Sequence, residues 1–473
     1  MAYRTNRRTF IGFVGYGGLG LGLGLPRLVR AQSANERVQL AGIGIGGKGW
    51  GDINEVAKGN PVSPGSDERD AERVIALCDV NFDPHGGRYA EGGLPAASAK
   101  WPEAELFKDW RRMLDRLGKD IDGVTVSTPD HMHAPITMTA LSMGIATYTQ
   151  KPMTRTVHEA RVITEAARAA GVATQMGNQG HSGVGYRMLV RLIQDGAIGK
   201  IRAVETWSDR PFWPHGMDRP LGEDPEPESL DWDKWLGVAP ERPYKHLYTG
   251  GDNDGRGYYQ PFTWRGWYDF GSGSLGDMGC HILDPVVWGL DLGAPTTVSY
   301  EGPEPKPEAF PTEETITYKF PGTDYTAGDE VVVKWHDGGR VPSAELAQQC
   351  GRESFNRSGG VYIGEKGLIY CPHGGGPQLF PREDFAEYAR PRLEPMDHYM
   401  QWTNAIRGTD EATSHFEYAG PLTETVQLGV IASRVGEGVE LAWDAANMRF
   451  ANSEVANRFV RQPYRKGWEV EGL

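Results

Sequence analysis

The sequence is poor in basic side chains and in cysteine. Its 473 residues include 63 Asp and Glu against 49 Lys and Arg, which gives a formal net charge of −14 at pH 7. Nucleic acids and anionic membrane surfaces both bind basic patches, so this balance argues against either as a partner. The four cysteines lack the paired spacing of metal ligands, and a disulfide between Cys350 and Cys371 stays open. Cys78 falls in an apolar run and is expected to be a small core residue.

Long apolar runs are also missing after the N-terminus, where a spanning helix would need about 20 strongly apolar residues. The N-terminus carries Arg7-Arg8, a glycine-rich and only moderately apolar run over residues 12–25, and then Ala31. This combination resembles a Tat export signal, and its glycine content disfavours the alternative of a membrane anchor. We therefore expect a cleaved signal over residues 1–31, export by the Tat machinery to the periplasm, and no membrane attachment after processing.

The remaining chain divides into two patterns. Over residues 36–178 strands alternate with helices, one of them expected over residues 106–117, which predicts a Rossmann domain with a doubly wound parallel sheet. Over residues 179–445 several β-branched strands with little helix between them predict an α+β substrate-binding domain with a large, mostly antiparallel open sheet. Residues 211–262, rich in Trp, Pro, Gly and Asp, are expected to form a long functional loop. Residues 446–473 are expected to be a C-terminal tail.

A glycine-rich turn follows the first predicted strand. Gly44, Gly46 and Gly49 fit G-x-G-x-x-G, which lets backbone N–H groups approach a pyrophosphate at the start of a helix. Asp79 ends the next predicted strand, where a carboxylate can accept hydrogen bonds from an adenosine ribose. The separation from the turn exceeds the usual ~20 residues, which an inserted loop at 59–69 would explain. A carboxylate would repel a 2′-phosphate, so NAD is expected and NADP is less favoured.

Three further clusters carry groups suited to chemistry. Two of them directly follow predicted strands, and ligands of a doubly wound sheet bind outside the carboxyl ends of its strands. The third opens a predicted helix in the second domain, where two of its members, four residues apart, share one helix face. The clusters are Thr128-Pro129-Asp130-His131-Met132-His133, Gln150-Lys151-Pro152, and the segment Asp277-Met278-Gly279-Cys280-His281-Ile282-Leu283-Asp284.

Together these motifs resemble the Gfo/Idh/MocA family of sugar and polyol oxidoreductases. Its T-P-x-x-x-H, E-K-P and D-x-G-x-H-x-x-D patterns match the three clusters in order, and the similarity runs from about residue 37 to residue 443. The resemblance implies that Thr128, Pro129, His133 and Lys151 contact the cofactor.

The same resemblance implies the catalytic roles. Lys151 would stabilise the developing alkoxide, His281 would take the hydroxyl proton, and Asp277 would bind and orient the substrate. An unperturbed histidine pKa of about 6.5 suits general base catalysis near neutrality. Gln150 stands where the family has a glutamate, and a neutral amide cannot pair ionically with Lys151.

Softer candidates surround these motifs. Interdomain hydrogen bonding and packing are the alternatives for the predicted substrate ligands, which are Asn178, Gln179, His181, Trp264 and Arg265. A metal site formed by Asp130, His131 and His133 with Asp277 or His281 is a further alternative, but nothing in the spacing requires one, so no metal is expected.

The implied reaction is hydride transfer to nicotinamide from a secondary hydroxyl of a sugar, polyol or glycoside, in the periplasm. The alternative is a redox-neutral glycosidase or epimerase that oxidises its sugar transiently with tightly bound NAD, because the periplasm holds no free nicotinamide pool. A lesser alternative is a non-catalytic sugar-binding protein. A homo-oligomer is an expectation from the resemblance only.

Overall fold

The computed structural model describes residues 37–59, 71–82, 92–249, 253–355 and 357–473. The predicted export signal lies outside these residues, as does nearly all of the predicted loop at 59–69. Within the described residues the strands are β1 (Gln39–Ile43), β2 (Arg73–Cys78), β3 (Glu105–Phe107), β4 (Gly123–Val126), β5 (Ala146–Thr149), β6 (Thr174–Met176), β7 (Ile201–Trp207), β8 (Thr297–Glu301), β9 (Glu314–Pro321), β10 (Glu330–Asp337), β11 (Gly359–Gly364), β12 (Leu368–Pro372), β13 (Gln378–Phe380), β14 (Glu440–Asp444) and β15 (Arg449–Phe450).

The helices alternate with the strands in the first part of the chain and cover the sheets in the second. Single 3-10 turns occupy Asp130–Met132, Gln179–Ser182 and Thr263–Gly266. The α-helices are α1 (Lys48–Ala57), α2 (Gly93–Lys100), α3 (Trp110–Leu117), α4 (His133–Ser142), α5 (Val157–Ala170), α6 (Val184–Gln194), α7 (Trp232–Leu236), α8 (Gly273–Ile282), α9 (Asp284–Leu290), α10 (Ala344–Gln349), α11 (His398–Ile406), α12 (Phe416–Val435) and α13 (Glu454–Val460).

The first sheet confirms the predicted Rossmann architecture. Its six strands lie in the order β3-β2-β1-β4-β5-β6, and every neighbouring pair is parallel. All residues of β4 and β5 are buried, as expected for strands covered by helices on both faces. Helix α5 begins with a capping box, in which Thr156 and Glu159 each bind the other's backbone N–H.

The second sheet confirms the predicted large and mostly antiparallel sheet. Its nine strands lie in the order β13-β12-β11-β7-β10-β9-β8-β14-β15, and only β7 and β10 run parallel as neighbours. Burial alternates along β9, so one face of the sheet is covered and the other is partly open. Helix α12 packs against α5 and α8 and against β8 and β9, which joins the two parts of the chain.

The helix expected over residues 106–117 is wrong in its first turn. Residues Glu105–Phe107 pair with β2 as the edge strand of the Rossmann sheet. Helix α3 starts only at Trp110, because the Asp109 side chain accepts the backbone N–H of Arg111 and caps the helix there. The prediction was wrong because the apolar residues of the edge strand and of the following helix together have the spacing of a single helix.

Among its described residues, 211–249 and 253–262, the aromatic stretch contains one short helix, α7, and is otherwise irregular. Its rings form a compact cluster with residues that lead into α8. We call this the aromatic cluster; its large members are Trp232, Trp235, Tyr244, Tyr259, Trp264, Trp267 and Phe270. A loop with its own apolar core keeps a defined shape.

The last residues, expected to be a tail, contain β15 and α13 and then return to the Rossmann domain. Trp468 is buried among residues of β1, β4 and α3, and Tyr464 donates a hydrogen bond to Glu159. All four cysteines are buried free thiols. No helix in the described part of the chain is both long enough and apolar enough to cross a membrane.

Candidate active site

The glycine turn has the shape that a phosphate-binding turn requires. Gly44 has φ +78°, and a Cβ there would lie 2.8 Å from the carbonyl oxygen of Ser127. A Cβ at Gly49 would lie 1.7 Å from the carbonyl oxygen of Gly44. A Cβ at Gly46, in contrast, would meet nothing within 4 Å. Two glycines are therefore required by the turn itself, and the third opens onto free space at the start of α1.

Asp79 lies beside this turn, at the end of β2. Its Oδ2 accepts the backbone N–H of Ile45 at 2.7 Å, and its Oδ1 accepts that of Asn81 at 3.0 Å. Burial raises the pKa of this carboxyl above its usual value, against the lowering effect of these N–H donors. The carboxylate is thus placed where the adenosine end of a dinucleotide lies in this fold. Its contact with a ribose stays a prediction.

His133 connects the two loops that follow β4 and β5. Its Nδ1 lies 2.8 Å from the carbonyl oxygen of Pro152, and its Nε2 lies 2.8 Å from that of Thr128. The ring is buried, and burial lowers its pKa. Both ring nitrogens are occupied by backbone, so this geometry favours a positioning role for His133 over the predicted direct contact with cofactor. Thr128 and Pro129 are half-buried, and the Thr128 hydroxyl has no protein partner.

Lys151 and Asp277 meet across the two domains. The Lys151 Nζ donates to Asp277 Oδ1 at 2.7 Å and to the Asp277 carbonyl oxygen at 2.6 Å. Two guanidinium groups approach the same carboxylate, with Arg265 Nε 3.4 Å from Oδ1 and Arg210 Nε 3.4 Å from Oδ2. Burial would raise the pKa of Asp277, but Lys151, Arg265 and Arg210 hold it well below its usual value. Asp277 is therefore ionised throughout the working pH range.

Arg265 is held in place by aromatic rings. Its guanidinium carbon lies 4.1 Å from the ring centre of Trp264 and 4.6 Å from that of Phe262. Its Nη1 lies 3.8 Å from Asp130 Oδ1. The two rings belong to or border the long aromatic stretch, so this stretch orients a charged group at the site.

Arg210 is a site residue that sequence reasoning missed. It follows β7 by three residues, and its Nη1 also pairs with Asp209 at 2.6 Å. Its position just past a strand of the second sheet was the available signal, but no motif marked it.

His281 lies one helical turn after Asp277 on α8, as the spacing predicted. Its Nδ1 is buried and meets no hydrogen-bond partner among the described residues, and its ring centre lies 5.5 Å from that of His373. Burial lowers the pKa of His281 well below 6.5, and the positive charge of Lys151 acts in the same direction. The imidazole is therefore neutral at neutral pH and able to accept a proton.

Two of the predicted substrate ligands bind other parts of the protein. Asn178 is buried, and its Oδ1 accepts the Ser414 hydroxyl at 2.6 Å, while its Nδ2 has no partner in the part of the chain that the structure describes. Gln179 donates from Nε2 to the Tyr148 hydroxyl at 2.8 Å. These contacts support the alternative of interdomain hydrogen bonding, and a substrate contact stays a prediction.

His181 is also directed into the protein. Its Nδ1 lies 2.9 Å from Asp284 Oδ1, and its ring stacks on Trp288 with 4.2 Å between ring centres. Asp284, the last residue of the second-domain motif, is fully buried and also accepts the Tyr418 hydroxyl. The first residue of the motif, Asp277, therefore contacts Lys151, whereas its last residue, Asp284, joins helices and holds His181.

His131, weighed as a metal ligand, is a buried connector. Its Nε2 lies 3.0 Å from the carbonyl oxygen of Trp235, its Nδ1 lies 3.3 Å from that of Phe270, and burial lowers its pKa to about 3. In the part of the chain that the structure describes, no three His, Cys, Asp or Glu side chains are grouped to hold a metal ion.

The site fits a dinucleotide. The free space at Gly46, the start of α1 and the Asp79 carboxylate would hold its phosphates and its adenosine ribose. The contacts of Lys151 and His281 with a nicotinamide and a reacting hydroxyl stay predictions.

Two family models match the chain. The model described as "Oxidoreductase family, NAD-binding Rossmann fold" matches residues 53–178, and that described as "Oxidoreductase family, C-terminal alpha/beta domain" matches residues 191–338. Together they cover more than half of the chain, which therefore belongs to the Gfo/Idh/MocA oxidoreductase family.

The curated relatives match over short stretches. A glycosyl hydrolase family 109 protein of Stenotrophomonas maltophilia is 31% identical over 119 residues, which are 24% of this chain and 23% of that protein. An inositol 2-dehydrogenase of Klebsiella pneumoniae is 29% identical over 127 residues, 27% of this chain and 35% of that protein. The chain thus spans about a quarter to a third of the length of these relatives.

Among solved structures, the WlbA dehydrogenase from Bordetella pertussis in complex with NADH and UDP-GlcNAcA shares the fold. Its TM-score is 0.56 at 15% sequence identity, over 86% of this chain and 99% of that chain. At this identity the likeness concerns the fold alone.

Proposed function

We propose that this protein is an NAD-dependent oxidoreductase that acts on a secondary hydroxyl of a sugar, polyol or glycoside. The observation that carries the proposal is that Lys151, just after the carboxyl end of β5, forms an ion pair with Asp277, which lies one helical turn before His281 on α8. An ammonium group, a carboxylate that stays ionised and a neutral imidazole are the groups that removal of a hydroxyl proton needs.

Bound nicotinamide would supply the hydride acceptor. The neutral imidazole of His281 accepts the hydroxyl proton as the carbinol C–H bond breaks, a step worth on the order of 10²–10⁴ in rate. The Lys151 ammonium stabilises the negative charge that develops on the substrate oxygen. Asp277 holds this ammonium in place through a 2.7 Å ion pair, and Arg265 and Arg210 keep Asp277 ionised.

Two finer assignments belong to the proposal. NAD is favoured over NADP, because the Asp79 carboxylate beside the glycine turn would repel a 2′-phosphate. Export to the periplasm is favoured by the twin arginines at positions 7 and 8 and the weakly apolar run that follows them.

A redox-neutral reaction is the second candidate, and the contacts around the adenosine end favour it. The Val80 carbonyl accepts the N–H of Asp231 at 2.9 Å, and the Phe82 N–H donates to the Ser229 carbonyl at 2.9 Å. Together with the contacts of His131, they fasten the long aromatic stretch to the Rossmann domain at two strand ends. Such fastening would slow the release of a dinucleotide after each turnover.

In that candidate the cofactor is recycled. Oxidation of a sugar hydroxyl would acidify the neighbouring C–H, elimination of a glycosidic group and addition of water would follow, and reduction of the carbonyl would leave no net change in oxidation state. One relative carries a glycosyl hydrolase name, which is consistent with this reaction class. The lesser alternative, a non-catalytic sugar-binding protein, is disfavoured because the Lys151, Asp277 and His281 set is intact.

The test begins with protein purified without added cofactor. It is denatured, and the supernatant is assayed for NAD(H) and NADP(H) by mass spectrometry, after which sugars, polyols and glycosides are screened with net product analysis. Near-stoichiometric NAD(H) together with hydrolysis or epimerisation supports the redox-neutral reaction. Empty protein with net carbonyl formation supports the simple dehydrogenase. The absence of affinity for either dinucleotide would overturn both.

A further inference from the structure

Asp52 is a buried carboxylate on α1 that no motif singles out. Its side chain is fully shielded from solvent, and its Oδ2 accepts the Ser127 hydroxyl at 2.9 Å and the Gln150 Nε2 at 2.8 Å. Its Oδ1 accepts the Tyr399 hydroxyl at 3.0 Å and the Lys48 Nζ at 2.5 Å. A buried carboxylate is stable only when its oxygens are satisfied, and here donors reach both of them.

These donors come from the elements that build the cofactor side of the site. Ser127 follows β4, Gln150 follows β5, and Lys48 is the first residue of α1, while Tyr399 reaches in from α11. The Asp52 carboxylate therefore joins the glycine turn to the loop that carries Lys151.

The amide of Gln150 is oriented by this contact. Its Nε2 donates to Asp52, while its Oε1 accepts the backbone N–H of Lys151 at 3.3 Å. Gly177 makes room for it, because a Cβ there would lie 2.4 Å from the Gln150 Nε2. A glutamate at position 150 would be ionised near neutrality and would face Asp52 with no proton to donate.

We propose that Asp52 is a positioning residue that supplies, from helix α1, the carboxylate that the family's usual glutamate would place at position 150. Asp52 fixes the peptide of Lys151 through Gln150. The part of the proposal that concerns Lys151 rests on the proposed function. The pairing of residues 52 and 150 does not.

A reciprocal exchange tests this. The variants Asp52→Asn and Gln150→Glu each leave a mismatched pair, either two amides or two carboxylates, and the double variant restores one of each. We expect each single variant to lower the midpoint of thermal unfolding by about 5 °C and to lower kcat by about tenfold, with less effect on KM. The double variant should recover more than half of both losses on a logarithmic scale.

The matched control is Glu55→Gln on the same helix, whose carboxylate is exposed and pairs with Lys58, and which should change neither quantity. Losses in the double variant equal to the sum of the single losses would overturn the proposed pairing of residues 52 and 150. If the double variant recovers the unfolding midpoint but the single variants keep the kcat of the parent, the positioning role is overturned and Asp52 is a structural residue. Unfolding midpoints need no substrate, so a failed pairing is distinguishable from a failed proposed function.

Discussion

The candidate site has two sides that differ in chemistry. We call the side that carries the glycine turn the Rossmann wall, and the side that carries Asp277 the charged wall. The Rossmann wall presents backbone and small residues, with Gly46 opening onto free space and Gly49 in contact with the turn itself. The charged wall presents charged side chains, with Arg210 and Arg265 directed at Asp277. The first wall can select a ligand by shape and backbone N–H groups, while the second selects by charge and by proton transfer. Substitutions on the two walls should therefore fail in different ways.

The largest effect is expected on the charged wall. Replacing the proposed base by His281→Ala should lower kcat by about 10²–10⁴, because proton removal in the transition state loses its acceptor. The measurement is steady-state turnover of the carbohydrate found by screening. NAD affinity by fluorescence titration should stay within twofold of the parent. Turnover equal to that of the parent would exclude His281 as the base.

On the Rossmann wall, two glycines separate binding from folding. Gly46→Ala should fold normally but weaken NAD binding by about 10²-fold, because the added methyl group occupies the space left for a phosphate. Gly49→Ala should lose binding and also lower the unfolding midpoint, because its Cβ would lie 1.7 Å from the Gly44 carbonyl oxygen. Equal NAD affinity of Gly46→Ala and the parent protein would contradict the assignment of this turn.

The pH profile sharpens the contrast. A histidine with an unperturbed pKa near 6.5 would lose about tenfold in activity on going from pH 7.5 to pH 5.5. The pKa of His281 is lowered by burial and by Lys151, so the neutral base persists to lower pH and this loss should not appear. Asp277 adds no limb in this range, since its pKa is also lowered. The measurement is kcat/KM between pH 5 and pH 8, and an acid limb centred at 6.5 would contradict the burial of the base.

The smallest effect is expected for a substitution that keeps the positive charge of a side chain but removes its planar guanidinium group. Arg265→Lys retains a cation but loses the stacking on Trp264 and Phe262, so KM should rise by about 3- to 10-fold. Arg392→Lys is the matched control, because Arg392 is 90% exposed and forms a surface ion pair with Glu394 at 3.6 Å. An identical KM for Arg265→Lys and the parent would mean that Arg265 acts on Asp277 through charge alone.

The same contrast explains what the sequence could predict. The Rossmann strands, the glycine turn and the Asp277–His281 spacing are local patterns, and the structure contains each of them close to the predicted boundaries. Arg210 was missed because its partner Asp277 lies 67 positions further along the chain. Asp52 was missed for the same reason, since Gln150 lies 98 positions away. Contacts of this range depend on how strands are ordered in the sheets, which no local period encodes.

His181 shows the opposite case. Its place after β6 suggested a substrate contact, with interdomain hydrogen bonding as the alternative, and the local pattern could not say which way the ring points. The buried carboxylate of Asp284, 103 positions away, holds it inside the protein. A partner that is itself fully buried thus decides between a substrate contact and a structural one.

The four buried thiols have a consequence for the chemical reactivity of the protein. Burial raises the pKa of Cys371 to about 12 and that of Cys350 to about 11, so almost no thiolate is present at neutral pH. An oxidant or an alkylating reagent can react with them only when the surrounding structure opens. The rate of thiol labelling therefore measures how often the surrounding structure opens. A bound dinucleotide should lower the labelling rate of Cys280, on the helix that carries Asp277 and His281, more than that of Cys350.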